Sequence, residues 1–102
     1  VRLTKELSRL RWSEIRDLWC EWDPIGVMSH DDWPRDEYDS YLGPTLRLLE
    51  ADASVDEIIK YLAYVEIEYI GLSDTVSASI QRQEFAQKLQ NWYATKWHNT
   101  VS

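Results

Sequence analysis

Apolar residues in this chain recur at helical rather than strand spacing. Leu3, Leu7 and Leu10 form one stripe; Ile15, Leu18, Trp19 and Trp22 form a second, slightly rotated from the first. The stripes merge at Arg11 and Glu14. One first helix with a wide buried arc is therefore predicted, capped by Thr4, frayed at its start and running to about Glu21. Cys20 falls on the side away from the stripe. Asp23-Pro24 ends the helix, because a residue before proline avoids the α region. Asp23-Pro24-Ile25-Gly26 then fits a type I turn. Val27 and Met28 are placed to tuck the chain back onto the helices, and Ser29 to Arg35 reads as polar loop.

A second helix begins at Arg35 or Asp36, with Tyr38, Tyr41, Leu42, Thr45, Leu46 and Leu49 at helical spacing. Gly43-Pro44 interrupts it. Pro44 removes a backbone bond and crowds the carbonyl of Ser40, so a kink or break is expected. After the short connection Ala51-Asp52-Ala53, the capping box Ser54-Val55-Asp56-Glu57 opens a third helix. This helix buries Val55, Ile58, Ile59, Leu62, Val65 and Tyr69. It ends at Gly71, with Leu72 placed for the apolar contact of a Schellman motif. Ser73 to Ser79 is a polar connector. A fourth helix starts at Val76 or Ile80 and reaches about Trp97 on Phe85, Ala86, Leu89, Trp92, Tyr93 and Trp97. The fold class predicted is all-α: a four-helix up-and-down, bundle-like single domain over residues 1–102. It has a long loop between helices 1 and 2 and frays at 1–5 and 98–102.

Composition changes this picture in two places. Six tryptophans and six tyrosines against one phenylalanine and one methionine make amphipathic rings a large part of the core. A single cysteine excludes an internal disulfide and fits a reducing compartment. Arg2, Lys5, Glu6, Arg9 and Arg11 interrupt any secretory apolar segment, and no window approaches the ~20 apolar residues of a membrane span. A cytoplasmic protein is the expectation.

The net charge of −7 is unevenly spread. Residues 1–16 carry five cations and two acids; residues 17–74 carry fifteen acids and three cations; residues 75–102 carry three cations and one acid. An acidic middle thus lies between mildly basic ends. Such a field repels nucleic acid and anionic membrane and steers a basic partner. Acidity also serves plain solubility, and charge alone does not separate the two uses.

Searches for chemistry return little. There is no phosphate-cradling glycine motif, and His30 and His98 lack ligand-spaced companions. Asp31, Asp32, Asp36, Glu37 and Asp39 offer carboxylate oxygens to a hard cation, but not at EF-hand spacing and with Trp33-Pro34 between them. Cys20 has no histidine nearby in sequence. The chain reads as a binding protein and not an enzyme, with no cofactor or metal.

Two constellations remain as partner-binding candidates. The first is Asp31, Asp32, Trp33, Asp36, Glu37, Tyr38, Asp39 and Tyr41, where acids alternate with aromatics. Carboxylates pair with Arg and Lys, and Trp and Tyr supply buried contact area. The same residues also suit a helix dipole and a core beneath the loop. The second is Glu57, Tyr61, Tyr64 and Glu68, one stripe beside the apolar face of the third helix, which also reads as boundary packing with wet hydroxyls.

Three segments carry a resemblance: W-D-P-I-G-V, W-P-R-D-E-Y-D-S-Y-L-G-P and E-I-I-K-Y-L-A-Y-V-E-I-E-Y-I-G-L. Together they cover about residues 15–72. They resemble small bacterial α-helical proteins, some of which are immunity proteins of contact-dependent growth inhibition and related polymorphic toxin systems. The resemblance implies a toxin inhibitor whose partner is a basic toxin domain, a nuclease, held as a heterodimer. The alternative from the residues is a helical scaffolding or regulatory interaction domain that self-associates through exposed aromatics.

Overall fold

The computed structural model describes residues 3–24, 26 and 36–98. Four α-helices follow in order: α1 (Lys5–Trp22), α2 (Asp39–Glu50), α3 (Val55–Tyr64) and α4 (Val76–Lys96). A π-helical segment, Val65–Ile70, continues α3. Among the described residues there is no strand. Cross-helix pairs give the directions. Arg16 meets Asp39 while Arg11 meets Glu50, so α1 and α2 are antiparallel. Gln90 donates to the Ala53 carbonyl while Arg82 meets Glu66, so the α3 chain and α4 are antiparallel. Glu14 meets Lys96 while Glu21 meets Lys88, which does the same for α1 and α4. The order is up-and-down around one core, as the periodicity predicts.

Trp19 is the hub of that core and is fully buried. Its ring lies 5.5 Å from Tyr41 in a stacked arrangement, 5.6 Å from Phe85 edge-on and 5.2 Å from Trp22. Leu42, Ile58, Leu62 and Leu89 belong to the same buried cluster. Offset and edge-to-face aromatic pairs of this kind add to simple burial.

The boundaries follow local chemistry. Thr4 Oγ1 accepts from Leu7 N at 3.1 Å, so α1 is already formed at Lys5, within the stretch expected to fray. Its end is held by Asp23 in the left-handed region (φ 47°, ψ 63°), outside the α basin that Pro24 forbids. The expected turn hydrogen bond, Gly26 N to Asp23 O, is 3.0 Å. Ser54 Oγ accepts from Glu57 N at 3.2 Å, as the capping box requires. Thr75 caps α4 in the same way, which decides for Val76 over Ile80 as its start.

Several expectations are corrected. Leu10 is 44% exposed, whereas Arg11 is buried against Glu50, because the buried stripe runs 7–11–15–19 at i+4 spacing. Cys20 is buried, next to Trp19 on the same arc, and not turned outward. The second helix starts at Asp39, not at Arg35 or Asp36. Residues 36–38 form a turn that drops the Tyr38 ring into the core, with its hydroxyl donating to Asp23 Oδ1 at 2.6 Å. Pro44 does not break α2: Leu42, Thr45, Leu46 and Leu49 are all buried, and their packing carries the helix through the single lost bond. Tyr69 is 67% exposed instead of buried. Expectations on Val1, Arg2, Ile25, Val27 to Arg35 and Asn99 to Ser102 lie outside the described residues.

Glu14 ties α1 to the end of α4. It accepts from the indole N–H groups of Trp92 (3.0 Å) and Trp97 (3.1 Å) and pairs with Lys96. Burial pushes its carboxyl pKa up, but the hydrogen bonds from Lys96, Trp92 and Trp97 outweigh that and hold it below the usual 4.5. A folded-state pKa below the unfolded one contributes stability above the unfolded value and loses it as pH falls through the folded value. The stability gap between wild type and Glu14→Gln is therefore expected to be widest near neutral pH and to close below about pH 4. Urea midpoints at both pH values check this; a gap independent of pH excludes the role.

Candidate functional site

Between α2 and α3 with its π-helical continuation lies a pocket of about 210 Å³ lined by Tyr41, Pro44, Tyr61, Tyr64, Val65 and Tyr69. The Tyr41 and Tyr69 rings meet edge to face at 5.7 Å. Tyr61 directs its hydroxyl at the Tyr41 carbonyl, 3.5 Å away. Tyr64 and Tyr69 are more than half exposed, so the pocket opens to solvent with aromatic walls.

The π-helical segment builds this site. Ordinary α winding from Leu62 would place Tyr69 on the core side, as the sequence predicts. A π turn closes i→i+5 bonds and holds about one more residue per turn. The core position passes from Tyr69 to Ile70, which packs on the core, and Tyr69 swings out to meet Tyr41. Gly71, at φ 87°, ends the segment, and the Glu66 carbonyl accepts from both Gly71 N and Leu72 N. The Glu66 side chain turns inward to Arg82 Nε at 2.8 Å, and Arg82 Nη2 reaches Asp74 at 3.1 Å, fastening the segment to α4.

Burial pushes the Tyr61 hydroxyl up to about 12, and the neighbouring Tyr41 adds to the rise. Burial also raises Tyr41, with Tyr69 adding to it. Both hydroxyls stay protonated and neutral through the physiological range.

The two sequence candidates meet at this pocket, but only in part. Tyr41 from the first and Tyr61 and Tyr64 from the second line it together. Tyr38 is withdrawn as a surface residue because its side chain is buried. Asp39 is engaged by the Arg16 guanidinium through two bonds of 2.9 and 2.6 Å. Asp36 is exposed, and Glu37 is half-buried within Coulombic range of Tyr41. Asp31, Asp32 and Trp33 lie outside the described residues. Glu57 and Glu68 are exposed. Sequence reasoning assigned Tyr69 to the core and Pro44 to a kink or break, and so did not place either in the site.

Pairing redistributes the charge. All three cations of residues 75–102, together with Arg11 and Arg16, form ion pairs with acids. Among the described residues, Asp52, Asp56, Glu57 and Glu68 form none and are exposed; the same holds for the cations Lys60 on α3 and Arg47 on α2, the latter within Coulombic range of Tyr61. Glu57 and Glu68 thus leave carboxylates without an ion pair on α3 and its continuation, the elements that carry Tyr61, Tyr64 and Tyr69. A second hollow, between α1 and α4 and lined by Leu18, Trp22 and Phe85, is bridged by the Lys88–Glu21 pair, with Glu84 a further carboxylate on its rim. No helix among the described residues is long and apolar enough to cross a membrane.

No family model, curated protein or solved structure matches this chain.

Proposed function

We propose that this chain is an immunity protein that binds a basic toxin domain, a nuclease, as a heterodimer and neutralises it. The observation that carries the reading is a solvent-open tyrosine pocket whose α3 side belongs to the same helix and continuation as Glu57 and Glu68, which are exposed and form no ion pair among the described residues. A nuclease cleft must be basic to hold nucleic acid, and an acidic, aromatic surface is complementary to it. Nuclease–inhibitor pairs of this kind associate rapidly under electrostatic steering. The sequence resemblance points the same way.

We take α3 as the binding face because Tyr38 is buried and Asp39 is held by Arg16, which leaves the described part of the loop candidate less to offer a partner. Charge reversal of Glu57 and Glu68 to lysine is expected to slow, by about tenfold at low salt, association with a basic nuclease toxin domain that the chain captures. Reversal of Asp36 is expected to slow it less, since it lies apart from the α3 acids. Stopped-flow association at two ionic strengths measures both effects. A rate indifferent to salt removes steering from the account. A stable homodimer that captures no basic domain favours the scaffolding alternative.

A further inference from the structure

We infer that the tyrosine pocket is a cage for one arginine side chain of the partner, so that a guanidinium, and not merely a positive surface, is what this face selects. The inference rests on the binding reading above and names the chemistry of its central contact.

Four tyrosines from α2, α3 and its π-helical continuation line one small pocket, and Tyr41 and Tyr69 meet edge to face in its wall. Aromatic faces attract cations through the ring quadrupole, and such cages recur where cationic groups are recognised. Among cations, a guanidinium is planar and weakly hydrated and stacks on rings, whereas an ammonium holds its water tightly. The raised tyrosine hydroxyls stay neutral, so they offer dipoles to the planar N–H fork. The pocket's own field has a direction. Arg47 lies within Coulombic range of Tyr61, while Glu37 lies within range of Tyr41. The incoming cation is therefore placed at the Tyr41–Tyr69 end, away from Arg47. This also accounts for the π turn: a wide turn rarely survives without use, and here it moves Tyr69 out of the core to form the cage wall.

The probe is N-acetyl-arginine amide, compared with the citrulline and lysine amides, which replace the guanidinium by a neutral urea and by an ammonium. Tyrosine ring resonances are followed by NMR. Saturable shifts confined to Tyr41, Tyr61, Tyr64 and Tyr69 are expected with the arginine probe and none with citrulline. Tyr69→Ala, at an exposed position, is expected to weaken the arginine probe about two- to fivefold without altering the remaining core resonances. Tyr61→Phe, which keeps the ring and loses only the hydroxyl dipole, is expected to weaken binding less than Tyr69→Ala. Equal shifts from citrulline or lysine, or no shift from arginine, overturn the cage. If the chain captures a basic toxin domain while the arginine probe leaves the tyrosines unmoved, the cage fails and the immunity reading stands. If the probe binds and no basic domain is captured, the cage stands and the immunity reading fails.

Discussion

Trp19→Ala is expected to destabilise the fold by about 3–5 kcal/mol, the range for truncating a large buried aromatic. Trp19 is fully buried and touches aromatic rings from both α2 and α4. Its removal leaves a cavity bordered by Tyr38, Tyr41, Trp22 and Phe85, each of which pairs with the Trp19 ring. A domain of this size holds on the order of 5–15 kcal/mol in total, so the variant sits near the edge of folding. Trp19→Phe keeps most of the ring. It also removes an indole N–H that has no hydrogen-bond partner among the described residues, so its cost is expected to be about 1–2 kcal/mol. Chemical denaturation of the three proteins makes the comparison. A loss below about 1 kcal/mol for the alanine variant would show that the loop side of the core collapses to fill the space.

Arg82→Ala is expected to cost a comparable 3–5 kcal/mol, for an electrostatic reason. Arg82 and Glu66 bury their side chains to 5% and 6% exposure and meet at 2.8 Å. Truncating the arginine leaves a carboxylate inside the fold with no countercharge, and that penalty dominates. Replacing both, Arg82→Met with Glu66→Leu, removes the buried charges together. It is expected to come within about 1 kcal/mol of wild type or to exceed it. Asp74 loses its partner in both variants but is half exposed and keeps its water. Should the double variant be as unstable as the single one, the pair stabilises the fold outright and does not merely fix the geometry of the π-helical segment. Melting temperatures of the three proteins decide between these results.

The helices themselves were largely legible in the sequence, and the residues show why. Thr4 and Ser54 announce helix starts through local hydrogen bonds that need no tertiary partner. Gly71 announces an end because its φ of 87° is open to glycine at little cost. Where local signals competed with packing, packing won. Pro44 reads as a break, yet α2 continues because four buried side chains hold it against the core. Asp36 and Glu37 read as a helix start, yet the Tyr38 ring needed the core and its hydroxyl needed Asp23, which fixed a turn there instead. Nothing local in the sequence marks Arg11 and Arg82 as buried ion-pair partners. Burial was available to them only because Glu50 and Glu66, 39 and 16 residues away in sequence, arrive as partners.

The candidate site was less legible for the same reason. Acids and aromatics are visible as letters, but which of them are neutralised at home depends on contacts between distant helices. Asp39 is held by Arg16, and Glu66 by Arg82. What the sequence determined by itself is the all-α class, the caps, the antiparallel order and the stock of amphipathic rings, because periodicity and capping act over a few residues. What only the tertiary structure decided is the width of the turn after Tyr64, which acids stay unpaired, and the meeting of Tyr41 with Tyr69. Those depend on which side chain fills the last core position, and the core accepted Ile70 in place of Tyr69.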